Sequence, residues 1–204
     1  MRGLIVLLCL GWAHCTNANS PLRVVHVFVA LADNQRQGII PVPAKLGIGR
    51  DPAHNLYWGA AYGVKTFFRA NADWETLSCG PGPKATILER CVFKRRDSET
   101  YLVADAYDGW MIREAVTDYF TAAELDREDL VVTTREGMLS VAAGGASDVL
   151  VYVGHDAFMD FQIPSIAGRE RALVRQSSSR APARPTSRHI VAQVVQSLSC
   201  GRLA

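Results

Sequence analysis

After its first twenty residues the 204-residue chain has no apolar run long enough to cross a bilayer, so its body is read without a membrane span. Neither sign of charge prevails: 22 basic and 20 acidic side chains give a net +2, too little to argue for nucleic acid as a partner. No Cys-x-x-Cys or His-x-x-x-His spacing occurs, which removes the usual ligand pattern of a structural zinc site. No Gly-x-Gly-x-x-Gly follows a strand-like run. Gly38, Gly47 and Gly49 fall in a loop at other spacings, and Gly144-Gly145-Ala146 precedes a strand rather than following one. A phosphate-cradling loop is therefore not expected, and the sequence calls for no metal and no cofactor. From residue 162 to 204 there is no aromatic side chain, and from 171 to 204 there is no Asp or Glu. That stretch does hold six arginines, at 171, 175, 180, 184, 188 and 202. Without interleaved aromatics it is a poor single-stranded nucleic-acid binder.

What is present suits a folded domain. At 49% hydrophobic and 21% charged residues, the chain can bury a core, and its length fits one α/β domain. With the six tail arginines set aside, residues 1–170 hold 16 basic against 20 acidic side chains, so a mildly acidic body carries a basic tail. The start has the layout of a secretory signal peptide over residues 1–18. Arg2 is the positive n-region, Leu4 to Leu10 the apolar run, and Gly11, Ala13 and Ala18 the small residues near a cleavage point. A buried N-terminal helix or strand is the plainer alternative. The signal reading predicts a secreted or periplasmic protein in an oxidising compartment. There Cys79 and Cys91 could form a disulfide, worth about 3 kcal/mol if unstrained. It requires their Cα atoms to come within about 7 Å, and two unpaired thiols are the other outcome.

Residues 22–165 read as alternating strands and helices. Val24 to Leu31 is a continuous apolar, β-rich run that suits a central strand buried on both faces. Apolar positions from Asn55 to Phe68 fall at helical spacing behind an Asp51-Pro52 start signal. Thr86 to Phe93 and Tyr101 to Ala106 are strands joined as a hairpin by the charged turn 94–99. Trp110 to Ala123 is amphipathic. Thr134 can cap a short helix that runs to about Ala143. Asp148 to Val153 is a further apolar strand. This order predicts a three-layer α/β sandwich with a mainly parallel sheet, whose ligands meet the carboxyl ends of the parallel strands. Asp33 follows the first strand and is a strand-end binding candidate. Asp105 and Asp108 follow a strand whose direction the hairpin leaves open, and they are weak candidates for a hard cation.

The segment with the most chemistry is Val153-Gly154-His155-Asp156. An imidazole placed directly after a buried strand can act as general base or acid, because histidine titrates near neutrality. Asp156 could orient its ring, and an adjacent strand end is the natural place for a nucleophile. An exposed turn histidine without a task is the bland alternative.

The run Asp148-Val-Leu-Val-Tyr-Val-Gly-His155 resembles the His strand of the caspase, legumain and gingipain superfamily of cysteine peptidases. That resemblance implies a caspase-like or Rossmann-like α/β fold, His155 as general base and acid, and a peptide or protein substrate. It also implies a neighbouring strand that runs into Ala-Cys, the cysteine being the nucleophile. The chain departs from the pattern where Asp156 stands in place of the usual glycine. Segments 27–34, 55–68, 101–109 and 152–161 are also similar to an uncharacterised group of secreted bacterial α/β proteins, a likeness that brings no activity with it.

After about residue 165 the texture changes, and residues 166–204 read as a low-order Arg/Ser/Ala/Pro-rich tail. One reading is a disordered basic extension. Another is a frameshift: if the last base of each codon is joined to the first two of the next, Gln176 to Ala181 can encode a short apolar run ending in Ala-Cys. On that reading the sheet is truncated and the strand before His155 becomes an exposed edge. Two functions follow from the sequence. One is a secreted cysteine-peptidase-type hydrolase, inactive in this chain for want of its Cys-bearing strand. The other is a non-catalytic secreted binding or scaffold protein.

Overall fold

The computed structural model describes residues 22–38, 40–123, 127–134, 137–155 and 190–194. Among the described residues the strands and α-helices are β1 (Arg23–Ala30), α1 (Val64–Ala70), β2 (Trp74–Gly80), β3 (Ile87–Arg95), β4 (Thr100–Tyr107), α2 (Ile112–Ala123), β5 (Arg127–Thr134), β6 (Gly137–Gly144), β7 (Val149–Val153) and β8 (Ile190–Val194). Six strands form one sheet in the order β2-β3-β4-β1-β7-β8, and β5 and β6 pair separately as a hairpin. β1 runs parallel to both β4 and β7, and β7 runs parallel to β8. β3 is antiparallel to β2 and to β4. The sheet is thus mixed, with a parallel half and an antiparallel edge.

β1 lies within the sheet because its residues are apolar on both faces. Val27 and Val29 pack with Trp58, Phe93 and Leu102 on the α1 side. Phe28 and Ala30 pack with Ala115, Val116 and Tyr119 of α2 on the other. The amphipathic reading of 110–123 corresponds to a short 3-10 turn, 109–111, that leads into α2. α2 turns Ile112, Ala115, Val116, Tyr119 and Ala122 inward, all at helical spacing.

Several expectations need correction. Residues 55–63 do not form a helix; they fold as tight turns, and only Val64–Ala70 is helical. Asn55 closes these turns, its carbonyl accepting the Trp58, Gly59 and Ala60 N–H groups and its side-chain Oδ1 accepting that of Tyr57. The expected helix 134–143 is instead the β5–β6 hairpin, with Gly137 at a φ of +129° where β6 begins. β2 was not anticipated; it is the sheet's edge strand, half-buried at four of its seven positions, with Trp74 and Leu77 packed against the core. β4 proves parallel to β1, so Asp108 sits on the same edge of the sheet as Asp33, and Asp105 lies within the strand. β8 falls inside the tail expected to lack order, and it pairs with β7, so β7 is not an open edge. Residues 166–189 and 195–204, like the segment 1–18 expected to be a signal peptide, lie outside the described residues.

Cys79 and Cys91 stand directly opposite each other on β2 and β3, with Cα atoms 4.1 Å apart and their sulfurs bonded. Facing residues in an antiparallel ladder approach this closely at positions without ladder hydrogen bonds. No helix among the described residues is long and apolar enough to cross a membrane.

Candidate functional site

Two regions of the molecule gather polar side chains. The first is a cleft of about 260 Å³ between α2, the loop before β3 and the end of β6. Its floor is a buried ionic cluster on the α2 face of the sheet. Asp105 of β4 receives two bonds from Arg90 of β3, Nε to Oδ1 at 2.6 Å and Nη2 to Oδ2 at 2.7 Å. His26 of β1 lies 3.0 Å from Asp105 Oδ2 through Nε2. The Gly144 amide N–H donates to His26 Nδ1 at 3.0 Å. An amide nitrogen can only donate, so Nδ1 is the acceptor and the ring proton sits on Nε2, shared with Asp105. Both ring nitrogens are thereby committed, and His26 has no lone pair left to offer as a base. Phe28 stacks on the ring at 4.2 Å between centroids.

The strand alternation of β1 and β4 builds this cluster: His26 pairs with Val103 and Phe28 with Asp105, so His26 and Asp105 lie on the same sheet face two positions apart in the register. Burial alone would raise the Asp105 carboxyl, but the bonds from Arg90 and His26 outweigh it and hold the group below the usual carboxylate range. At the mouth of the cleft the Tyr107 hydroxyl donates to Asp118 Oδ2 at 2.8 Å. Burial, and then the charges of Asp105 and Asp118, push the Tyr107 phenol far upward, so it serves as a neutral donor. Lys84 reaches both Asp118 and Glu114. Burial would lower its ammonium, yet bonds to these two carboxylates hold it above the ordinary lysine value. Each charge in this cleft therefore meets an opposite one.

The second region is the carboxyl edge of the parallel strands. The loop after β1, the segment 47–50 and the turn after β4 meet there around a cleft of about 410 Å³. Asp33 is nearly fully buried. Its Oδ1 accepts the N–H groups of Gln35 and Arg36, each at 2.9 Å, and its Oδ2 accepts that of Gly49 at 3.2 Å. The strand-end candidate is thus an organiser of the loop backbone rather than a free carboxylate. Asp108 accepts Arg50 Nε at 2.7 Å and the Trp110 N–H at 2.9 Å, which caps the 3-10 turn. Asp105 and Asp108 do not converge on a cation position, because each is committed to arginine. The guanidinium carbons of Arg36 and Arg50 lie 3.7 and 4.3 Å from the centroid of the Trp110 ring.

His155 is at the same edge, two residues beyond β7 and half-buried, and its carbonyl oxygen accepts the Tyr152 hydroxyl at 3.1 Å. Asp156 lies outside the described residues. β8, the strand beside β7, reads Ile-Val-Ala-Gln-Val and has no thiol or hydroxyl among its five residues. Glu89, between Lys65 and the Trp58 indole, brings its Oε1 to 4.0 Å from the Cys91 sulfur, but both sulfurs here are spent on the disulfide.

The His26–Asp105–Arg90 cluster and the Arg36–Trp110–Arg50 group were not anticipated from sequence. The first had a signal: one histidine inside Val-Val-His-Val-Phe-Val and one aspartate inside Tyr-Leu-Val-Ala-Asp-Ala-Tyr are polar residues in strands otherwise fit for full burial. The second had none, since its residues come from three separate loops. No protein-family model, curated protein or solved structure matches the chain.

Proposed function

We propose that this chain is a secreted α/β domain of cysteine-peptidase type, with His155 in the general base and acid position, and that it is inactive as it stands because the Cys-bearing strand expected beside β7 is missing. The observation that carries the reading is the position of His155 at the carboxyl end of β7, flanked by parallel β1 and β8. In a parallel sheet that edge is where substrates meet side chains. A nucleophile for His155 belongs at the end of the adjoining strand, and none stands among the five described residues of β8. His26 is a poor substitute as base, with both ring nitrogens engaged. Cys79 and Cys91 are poor substitutes as nucleophile, since they are bonded to each other. The disulfide also supports an oxidising compartment, as secretion would provide.

The test has two steps. Reading the gene across codons 165–204 should reveal, in the alternative frame, an apolar strand ending in Ala-Cys. A protein made from that frame should then take up a cysteine-directed peptidyl probe at the restored thiol, and His155→Ala should lose that labelling. The present chain should stay unlabelled. Stop codons in the alternative frame, or labelling indifferent to His155, would overturn the proposal.

A non-catalytic secreted binding protein is the second reading. It is favoured by the carboxyl-edge cleft, where two guanidinium groups flank an exposed indole. An absence of peptidase activity from both frames, with ligand binding retained, would favour it.

A further inference from the structure

The loop cluster at the carboxyl edge is built with more care than a connecting loop needs. Three buried polar side chains knit it together. Asp33 gathers three backbone N–H groups. Gln37 donates to the Leu31 and Gly109 carbonyls at 2.7 and 2.9 Å and accepts the Asp33 N–H, tying the loop after β1 to the turn after β4. Asn55 binds the N–H and the carbonyl of Ala32 and also the Ile48 carbonyl. A further backbone bond, Gly109 N–H to the Gly49 carbonyl at 2.8 Å, closes the cluster. What this framework presents to solvent is Arg50, Ile48 and Trp110, the last 39% exposed, with exposed Arg36 laid over the Trp110 ring at the cleft's rim.

Two arginines and two aspartates meet here, Asp33 and Asp108 against Arg36 and Arg50, but their pairing is uneven. Arg50 spends its Nε on Asp108, and Arg36 has no carboxylate partner among the described residues. Asp33, the other acid of the cleft, is buried and already receives three N–H groups. A guanidinium lying over an indole keeps its N–H donors in its own plane, free at the ring's margin to grip an oxyanion with two parallel bonds. Holding both side chains against Trp110 before a ligand arrives lowers the ordering cost of binding.

We propose that this cleft binds a small molecule carrying an oxyanion, a carboxylate or a phosphate, on an apolar body. Arg36 and Arg50 take the anion, and Ile48 with the exposed edge of Trp110 meets the apolar part. The site stands on its own geometry and does not depend on His155 or on any nucleophile.

The test is a titration of the full chain, at constant ionic strength, with benzoate, phenyl phosphate and, as the neutral comparison, benzyl alcohol. The indole N–H resonance of Trp110 is followed, assigned by its loss in Trp110→Phe. One or both anions should shift that resonance saturably, the tighter one naming the preferred oxyanion, while benzyl alcohol should not. Arg36→Gln should weaken the binding at least tenfold. Arg50→Lys, which keeps the charge and loses the fork, should weaken it too, with the thermal midpoint of both variants near that of the parent. A resonance unmoved by either anion, an equal response to benzyl alcohol, or stable arginine variants that bind like the parent would each overturn the proposal.

Discussion

Asp105 carries its charge into the interior, where its side chain is 1% exposed, and it can do so because Arg90 and His26 saturate it. A buried ion pair is weak as a net stabiliser, but removing one partner leaves an uncompensated charge. Arg90→Met should therefore cost about 3–5 kcal/mol, read as a fall in the urea midpoint. The double variant Arg90→Met, Asp105→Leu should recover much of that loss, and no recovery would mean that Arg90 matters through other contacts. The pH dependence follows from the depressed Asp105 carboxyl. Its contribution is complete above the unfolded carboxylate value of about 4, and it drains away as pH falls through the lower folded value. Urea midpoints measured from pH 6 down to pH 2 should decline across the acid end. The decline should be shallower in Asp105→Asn, and equal slopes would remove Asp105 as the cause.

Among the elements, the strands and helix with one unambiguous period were legible: β1 and β7 as unbroken apolar runs, β3 and β4 as a hairpin around a charged turn, and α2 from its 3.6-residue stripe. β6 was misread because Leu139, Val141 and Ala143 alternate with less buried neighbours, yet Thr134 and Glu136 also resemble a helix start. Pairing with β5 decides the matter, and pairing is not a local property. β2 was missed because Trp-Glu-Thr-Leu-Ser-Cys-Gly keeps no apolar period, and a strand at the sheet's edge needs none. Its attachment to the sheet is covalent as well as hydrogen-bonded, through Cys79 and Cys91. Replacing both cysteines with alanine should lower stability by about 3 kcal/mol, the amount expected for a loop of this length. The fall should be seen in the denaturant midpoint, with faster amide exchange along β2. An unchanged midpoint would mean that the bond closes a loop already held by other contacts.

For the whole molecule, the order of the strands governs exposure. β1 is covered by β4 and β7, and β7 is covered by β8. Truncation after residue 165 removes β8 and leaves the apolar residues of β7 beside an open edge. The truncated protein should form larger species in a concentration-dependent way, measured by light scattering after gel filtration. Identical elution of the two forms would show that β8 does not protect β7.

The α/β character, the inner place of β1 and the position of His155 after an apolar strand were determined by the sequence, because burial period and chain-breaking residues act over a few neighbours. So were the two anomalies that became the buried cluster, His26 and Asp105. The tertiary structure alone decided their partners. Arg90 meets Asp105 only through the β3–β4 register, and Gly144 meets His26 only because the β5–β6 hairpin ends beside β1. Arg36, Arg50 and Trp110 lie far apart along the chain, and they come together because β1 and β4 run parallel and deliver their loops to one edge. Strand order and register are set by the packing of the whole sheet, which no single stretch of residues encodes.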